Sequence, residues 1–418
     1  MHAAILQNGG NGMTNKQTVY EMLTMLDQPQ LIRHIETLTP AQQQKILRQI
    51  TALDLSVLEL DGSEQQRGKF EPLPAMTMDE IAKNADRFRK TGLAAIREGK
   101  VGAVLLAGGQ GSRLGFEKPK GMFNVGLTRE LTIFECLMNN LKAVVQEADA
   151  WIPLFIMTSV DNCADTQQFF AEHDYFGYSP ANIWFFVQEQ LPTLDLNGKL
   201  MLSAPDEVCT APNGNGGWYA SMERTGMLKV LQDTHIEWLN VFAVDNVLQR
   251  MADPCFIGAV IESGSSAGAK AVAKADPDER VGVLCSEDGI PSIVEYYEMT
   301  DEMRNCREPD GTLSYRFGVT LNYLFHVQSL NRTLNVHLPL HRAKKKVRHM
   351  ALTGEIIEPE EPNAYKFETL ALDMVRLQPD CLIYEIDRTR EFAPIKNKEG
   401  ADTVETARAL LRLNGIEL

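Results

Sequence analysis

Residues 101–121 read VGAVLLAGGQGSRLGFEKPKG. Three glycines, Gly108, Gly109 and Gly111, are followed closely by three cations, Arg113, Lys118 and Lys120. Glycines let backbone N–H groups turn toward a ligand and approach it closely, and the cations suit a ligand with several negative charges. The pattern therefore fits a polyphosphate. It is not a P-loop, which needs Gly-Lys-Ser/Thr after its spacers, and Gly109, Gly111 and Gly115 are spaced one residue too widely for G-x-G-x-x-G. Two readings stay open: a phosphate loop of a third kind, or a tight strand-to-helix turn with solvated charges beyond it.

Other stretches carry candidate groups. Asp245-Asn246 ends an apolar run; it suits a magnesium ion bridging phosphates, or a helix N-cap. Residues 210–217, TAPNGNGG, expose backbone amides that can read a flat base, or form a hairpin turn. HRAKKKVRH, 341–349, is a phosphate-facing run, a targeting patch or a solvated face. Lys396 follows the charged stretch 387–391, where a single lysine at a loop tip is normally solvated. Gly264-Ser265-Ser266-Ala267-Gly268 matches the hydrolase elbow G-x-S-x-G, but no HGGG-type oxyanion loop precedes it, and a hydrolase is set aside.

The elements that must position these groups follow from composition and periodicity. The chain has 418 residues, 44% hydrophobic and 23% charged, the profile of a globular protein of two or three domains. A net charge of -15 argues against general nucleic-acid or membrane binding, so an anionic substrate has to be met by local cations. Seven cysteines without C-x-x-C predict reduced thiols and no zinc site. With no apolar run long enough for a membrane span or signal peptide, a cytoplasmic protein is expected. Residues 1–15 read as disordered, and Asn15–Gly99 as a helical N-terminal domain closed by a helix with the capping box Thr77–Glu80. Apolar strands at 101–107, 152–157, 183–187 and 238–244 alternate with helices at 131–145, 161–173 and 218–231. Further strands are expected at 270–272, 281–285, 290–296 and 382–386. The alternation predicts an α/β fold with a mostly parallel, mixed sheet whose ligands bind at the carboxyl ends of the strands.

Taken together, LLAGGQGSRLGFEKPKGMFNVGL, APNGNGG, AVDNVLQRMADPCFIGAVI, VGVLCSEDG with VEYYEM, HRAKKKV and EFAPIKN closely resemble, in order, the motifs of eukaryotic-type UDP-N-acetylhexosamine pyrophosphorylases. The resemblance runs over residues 100–410, with Ser112 where Thr is usual. It implies a Rossmann-like, GT-A-like nucleotidyltransferase core, with a nucleotide-binding catalytic domain over 100–340 and its C-terminal part over 341–418. It also implies the reaction of UTP with N-acetylglucosamine 1-phosphate to give UDP-N-acetylglucosamine and pyrophosphate, with Mg2+. The family's catalytic cations fall on Arg113, Lys120 and Lys396 and its metal ligand on Asp245. Its nucleotide contacts fall on Leu106, Ala107, Gly108, Gly109, Gln188, Gly214 and Asn215, and its sugar contacts on Gly282, Glu295 and the position of Val319.

Two departures matter. The family has Asn where this chain has Val319, so sugar preference is expected to be looser, with Thr320 or Asn322 as substitute contacts. Longer members continue into a small β domain after the stretch 403–408, where this chain soon ends, and a monomer is expected. The alternatives are a pyrophosphorylase of different or broader sugar preference, and a non-catalytic nucleotide-sugar binding protein. Retention of Arg113 and Lys120 favours the enzyme.

Overall fold

The computed structural model describes residues 16–60, 67–336 and 338–418, so the expectation for residues 1–15 lies outside the described residues. The chain divides into two compact units.

The larger unit, Arg67–Gln188, Asn215–Leu338 and Ala371–Leu418, is built on a ten-stranded mixed sheet. Its strands are β1 (Phe70–Pro72), β2 (Val101–Leu106), β3 (Leu154–Thr158), β4 (Ile183–Val187), β5 (Trp238–Ala243), β6 (Ala267–Ala273), β7 (Val283–Glu287), β8 (Ile290–Val294), β9 (Phe317–His326) and β10 (Leu382–Ile386). The path runs β1-β7-β9-β5-β2-β3-β4, with β6 beside β9, β10 beside β6 and β8 beside β7. Every residue of β2 and β3 is buried, which is why these segments are unbroken apolar runs rather than alternating ones. β5, β2, β3 and β4 are mutually parallel, in the register Ala243↔Leu106, Leu106↔Met157 and Thr158↔Val187. Their carboxyl ends therefore share one edge. β9 runs antiparallel to both β5 and β6, and β10 parallel to β6, so the carboxyl end of β10 reaches the same edge.

Helices cover both faces. Among them are α1 (Met78–Arg97), α2 (Ile133–Ala148) and α3 (Pro254–Ser263). The Thr77–Glu80 capping box is present, each side chain accepting from the other residue's backbone N–H. α1 and α3 cross in backbone contact. A Cβ on Gly92 would stand 1.9 Å from the Pro254 carbonyl oxygen, and one on Gly258 1.8 Å from that of Phe88. The single helix expected over 218–231 is two, Trp218–Arg224 and Met227–Asp233, because Gly226 turns into the left-handed region at φ 79°. The remaining boundaries move by a few residues: 131–145 becomes 133–148, 270–272 lengthens to Ala267–Ala273, and 281–285 shifts to Val283–Glu287.

The smaller unit takes the chain up to Gln66 together with Glu189–Gly214 and Pro339–Leu370. The helices Lys16–Met25, Pro29–Thr37 and Pro40–Ala52 have no core of their own. Val19, Leu23, Leu31, Ile35, Ile46 and Ile50 pack with Leu191, Leu194, Leu202, Val208, Met350 and Phe367 from the two later segments. Packing thus does not follow the expected domain limits at 99 and 340. Helices this short bury too little alone, and they complete their core with strands distant in sequence, while α1 belongs to the sheet. Among the described residues no helix is long and apolar enough to cross a membrane.

Candidate active site

The glycine loop leaves the carboxyl end of β2 and folds back on itself instead of entering a helix. Gly111 N–H donates to the Lys118 carbonyl (3.0 Å), and Lys120 N–H to that of Gly109 (3.1 Å). Leu106 and Ala107 are locked into the frame: Leu106 O accepts from Val244 N, Ala107 N donates to Met157 O, and Ala107 O accepts from Asn162 Nδ2. Gln188 follows β4, is buried, and lies over Gly108, where a Cβ would come within 2.8 Å of its Nε2. Gly109 beside it is exposed.

Lys120 is swung back to the strand ends, its Nζ 3.9 Å from Oδ2 of Asp245, which stands just past β5. Burial pushes the Lys120 pKa below the ordinary lysine value; Asp245 opposes the fall, and the positive charges of Lys396 and Arg113 add to it. Those influences mark Arg113, Lys120, Lys396 and Asp245 as one electrostatic cluster. Arg113 sits exposed in the short turn Ser112–Leu114, and no hydrogen bond or ion pair holds its side chain among the described residues.

Asp245 does not cap a helix; that position in α3 belongs to Asp253. It lies instead in a two-stranded clamp. Ile395 N–H donates to Asp245 O (2.9 Å) and Val247 N–H to Ala393 O (3.3 Å). The Asn246 side chain closes it, accepting from Ala393 N (2.9 Å) and donating to Glu391 O (2.8 Å). Asn246 is therefore consumed by the fold, and only the Asp245 carboxylate of that pair faces outward. The clamp brings the segment that carries Lys396 to the site, where its Nζ stands 3.7 Å from Asp402. Sequence reading missed this use of Asn246; its signal was an asparagine one residue beyond a buried strand end.

Gly282, Glu295 and Val319 come together. Val319 N–H donates to Gly282 O (2.9 Å), and a Cβ on Gly282 would be 3.3 Å from Glu295 Oε1. All three lie where the β7–β8 hairpin meets the amino end of β9 at Val283↔Gly318. The substitute contacts Thr320 and Asn322 are a correction. Thr320 is buried and donates to Lys270 O (2.9 Å); Asn322 is buried, accepting from Asn240 (2.8 Å) and donating to Arg250 O (3.3 Å). Leu321 between them stands at φ 52° where the β6–β9 register shifts, and these bonds occupy both polar groups within the fold.

Within the smaller unit, Gly214 has φ 85° and a Cβ there would stand 2.3 Å from Thr369 O, so the backbone requires glycine at this turn. In the larger unit Asn215 Oδ1 accepts from Ala371 N (2.8 Å). The basic run forms the strand His341–Lys345 and its continuation, with Arg342, Lys344, Lys345, Lys346 and Arg348 all exposed. Ser266 of the elbow-like sequence lies between a helix and a strand, hydrogen-bonded to Asp380 (2.9 Å), not on a strand-to-helix turn.

Residues 45–412 match the UTP–glucose-1-phosphate uridylyltransferase family. The chain belongs to that family. Its relatives include a human UDP-N-acetylhexosamine pyrophosphorylase-like protein 1, 34% identical over 96% of this chain and 84% of that one. UDP-N-acetylglucosamine pyrophosphorylase of Saccharomyces cerevisiae is 33% identical over 94% and 86%. The crystal structure of uridine diphosphate N-acetylglucosamine pyrophosphorylase from Trypanosoma brucei, solved with an inhibitor, aligns with a TM-score of 0.79 at 27% identity, covering 97% of this chain and 85% of that one. For a uridylyltransferase family the edge just described is the expected seat of chemistry, since the glycine loop, Lys120 and Asp245 lie past the carboxyl ends of the parallel strands.

Proposed function

We propose that this chain transfers a uridylyl group from UTP to N-acetylglucosamine 1-phosphate, releasing pyrophosphate. The observation that carries the reading is Lys120, drawn back from the glycine loop to within 3.9 Å of Asp245 at the strand ends, with Arg113 and Lys396 near enough to act on its charge. An oxygen of the sugar phosphate attacks the α-phosphorus of UTP; the new O–P bond forms as the bond to the bridging oxygen breaks, and pyrophosphate leaves with that electron pair. Such a transfer needs alignment and charge neutralisation and no covalent nucleophile.

Each residue then has a task. Gln188, Gly108 and Gly109 make the floor for the uracil, with Leu106 and Ala107 as its frame and Gly214 and Asn215 as further nucleotide contacts. Arg113 and Lys120 neutralise the triphosphate and the departing pyrophosphate. Lys396 binds the phosphate of the sugar. Gly282, Glu295 and Val319 line the hexose. Among the described residues no cluster of three His, Cys, Asp or Glu side chains exists to hold a metal by itself. A single outward carboxylate fits Mg2+, which keeps waters and takes phosphate oxygens beside one or two protein ligands. Asp245 would hold it; when bound it supplies charge neutralisation on the phosphates.

Val319 favours a relaxed sugar preference within this function. With the polar groups of Thr320 and Asn322 taken up by bonds within the fold, neither replaces the asparagine missing there, and an apolar wall discriminates weakly between hydroxyl epimers. The test is pyrophosphate release by the purified protein with UTP and a panel of sugar 1-phosphates. N-acetylglucosamine 1-phosphate should be the best acceptor; release from none of them would overturn the reading.

A further inference from the structure

β6 reads AGAKAVA, and its one charged residue, Lys270, is completely buried. An ammonium taken out of water must find opposite charge, and this one finds two carboxylates: Asp253 Oδ2 at 2.8 Å and Glu391 Oε2 at 2.6 Å. It also donates to the Arg250 carbonyl (3.3 Å) and lies over the Phe256 ring. Burial works against the charged form, but Asp253 and Glu391 outweigh it and raise the Lys270 pKa, so the ammonium keeps its charge. Each partner belongs to a different element. Asp253 is the N-cap of α3, accepting from Cys255 N, and Glu391 ends the short helix Arg388–Glu391.

Nothing in the proposed reaction uses this cluster directly, yet it sits one covalent step from the clamp. Glu391 gives its carboxylate to Lys270 and its carbonyl to Asn246, and Asn246 in turn takes Ala393 N–H. Ile395 N–H reaches Asp245 O, and Lys396 is next in sequence. We propose that Lys270 is a positioning residue: by fixing Glu391 it holds the segment that carries Lys396 in register with Asp245. This rests on Lys396 as the cation for the sugar phosphate. A solvent-exposed tether for that segment would leave it free to slide; a buried charge with two partners admits one arrangement.

The test is a double-mutant cycle in the full chain, read by steady-state kinetics of pyrophosphate release and by thermal melting. Lys270→Met is expected to lower kcat about tenfold while UTP KM moves less than about twofold, the mark of a lost transition-state contact. In the Lys396→Ala background the same substitution should cost less than about twofold, because the group it positions is gone. An equal loss in both backgrounds, with Lys396→Ala itself impaired, overturns the proposal and leaves the assignment of Lys396 standing. Wild-type turnover by Lys396→Ala alone removes that assignment and the proposal with it. Should Lys270→Met not fold, Glu391→Gln, which keeps the shape and an acceptor oxygen, enters the same cycle with the same outcomes.

Discussion

Replacing Gly109 with alanine is expected to leave the protein at least as stable as before while removing most of its activity with UTP. Its neighbours in the loop show why. Gly108 lies under the Gln188 amide; a Cβ on Gly111 would meet the Phe116 ring and carbonyl at 2.8 Å; Gly115 sits at φ 72°. Each of these is a glycine for reasons internal to the fold. Gly109 has none of them: its φ is not positive, a Cβ would meet nothing within 4 Å, and its carbonyl bond from Lys120 does not involve the side chain. A methyl there costs no packing, and a compatible Gly→Ala change restricts the unfolded chain, stabilising by about 0.4–1 kcal/mol. A base lying on the Gly109 backbone would be lifted by roughly 1 Å, and misplacement of that size lowers turnover on the order of 100-fold, or about 2.7 kcal/mol of barrier. The assay is pyrophosphate release over a range of UTP concentrations, beside a thermal melt. Gly121→Ala is the control: its Cβ would stand 2.2 Å from the buried Phe134 ring, so it should destabilise by about 1–3 kcal/mol through overpacking. If Gly109→Ala melts normally and keeps kcat/KM within about twofold, no base rests on Gly109 and the site has been built in the wrong place.

Arg113→Ala should lower kcat by at least ~100-fold, as loss of a preorganised contact to developing phosphate charge does; near-normal turnover by the folded variant removes it from the mechanism. Asp245→Asn should depress activity and raise the Mg2+ optimum, and unchanged magnesium dependence would deny it the metal. The alkaline limb of kcat/KM should lie below the ordinary lysine value of 10.5, because the Lys120 pKa is lowered. Lys396→Met removes a like charge and should move that limb up, whereas Asp245→Asn removes the anion that favours the ammonium and should move it down; shifts of the same sign would exclude Lys120. Val319→Asn should sharpen the preference for N-acetylglucosamine over N-acetylgalactosamine 1-phosphate with little change in UTP KM, measured as kcat/KM for both sugars.

Local patterns told most of the sheet. Val101–Leu106 and Leu382–Ile386 are apolar runs with clear ends, and the structure places them where periodicity does. The grouping of Gly282 with Glu295 and Val319 came only from the family resemblance, since nothing in the spacing shows that a hairpin makes it. That Thr320 and Asn322 are bonded within the fold was not legible, because Leu321 at φ 52° breaks period-two alternation between Val319 and Tyr323. The division into units was not legible. It depends on pairings such as Tyr365↔Leu194 and Met350↔Leu202, which leave no trace in local sequence. Lys270 was in plain view in AGAKAVA, but whether a lysine in an apolar strand is paired or marks its exposed side is decided by partners at 253 and 391.

The crossing of α1 with α3 limits how this protein can be recombined. Two helices that touch backbone to backbone at Gly92 and Gly258 recognise each other by the absence of side chains, and the match tolerates neither partner being exchanged. A chimera joined at residue 99 gives α3 a foreign helix, and any residue but glycine at the position of Gly92 would drive a Cβ into the Pro254 carbonyl and force the two axes apart. One joined after Gln66 keeps the pair intact and moves α1 with the sheet it covers. Swaps of the amino-terminal helices made after Gln66 should therefore spare this crossing, and their success should depend on how the new helices fit Leu191, Leu194, Leu202, Val208, Met350 and Phe367.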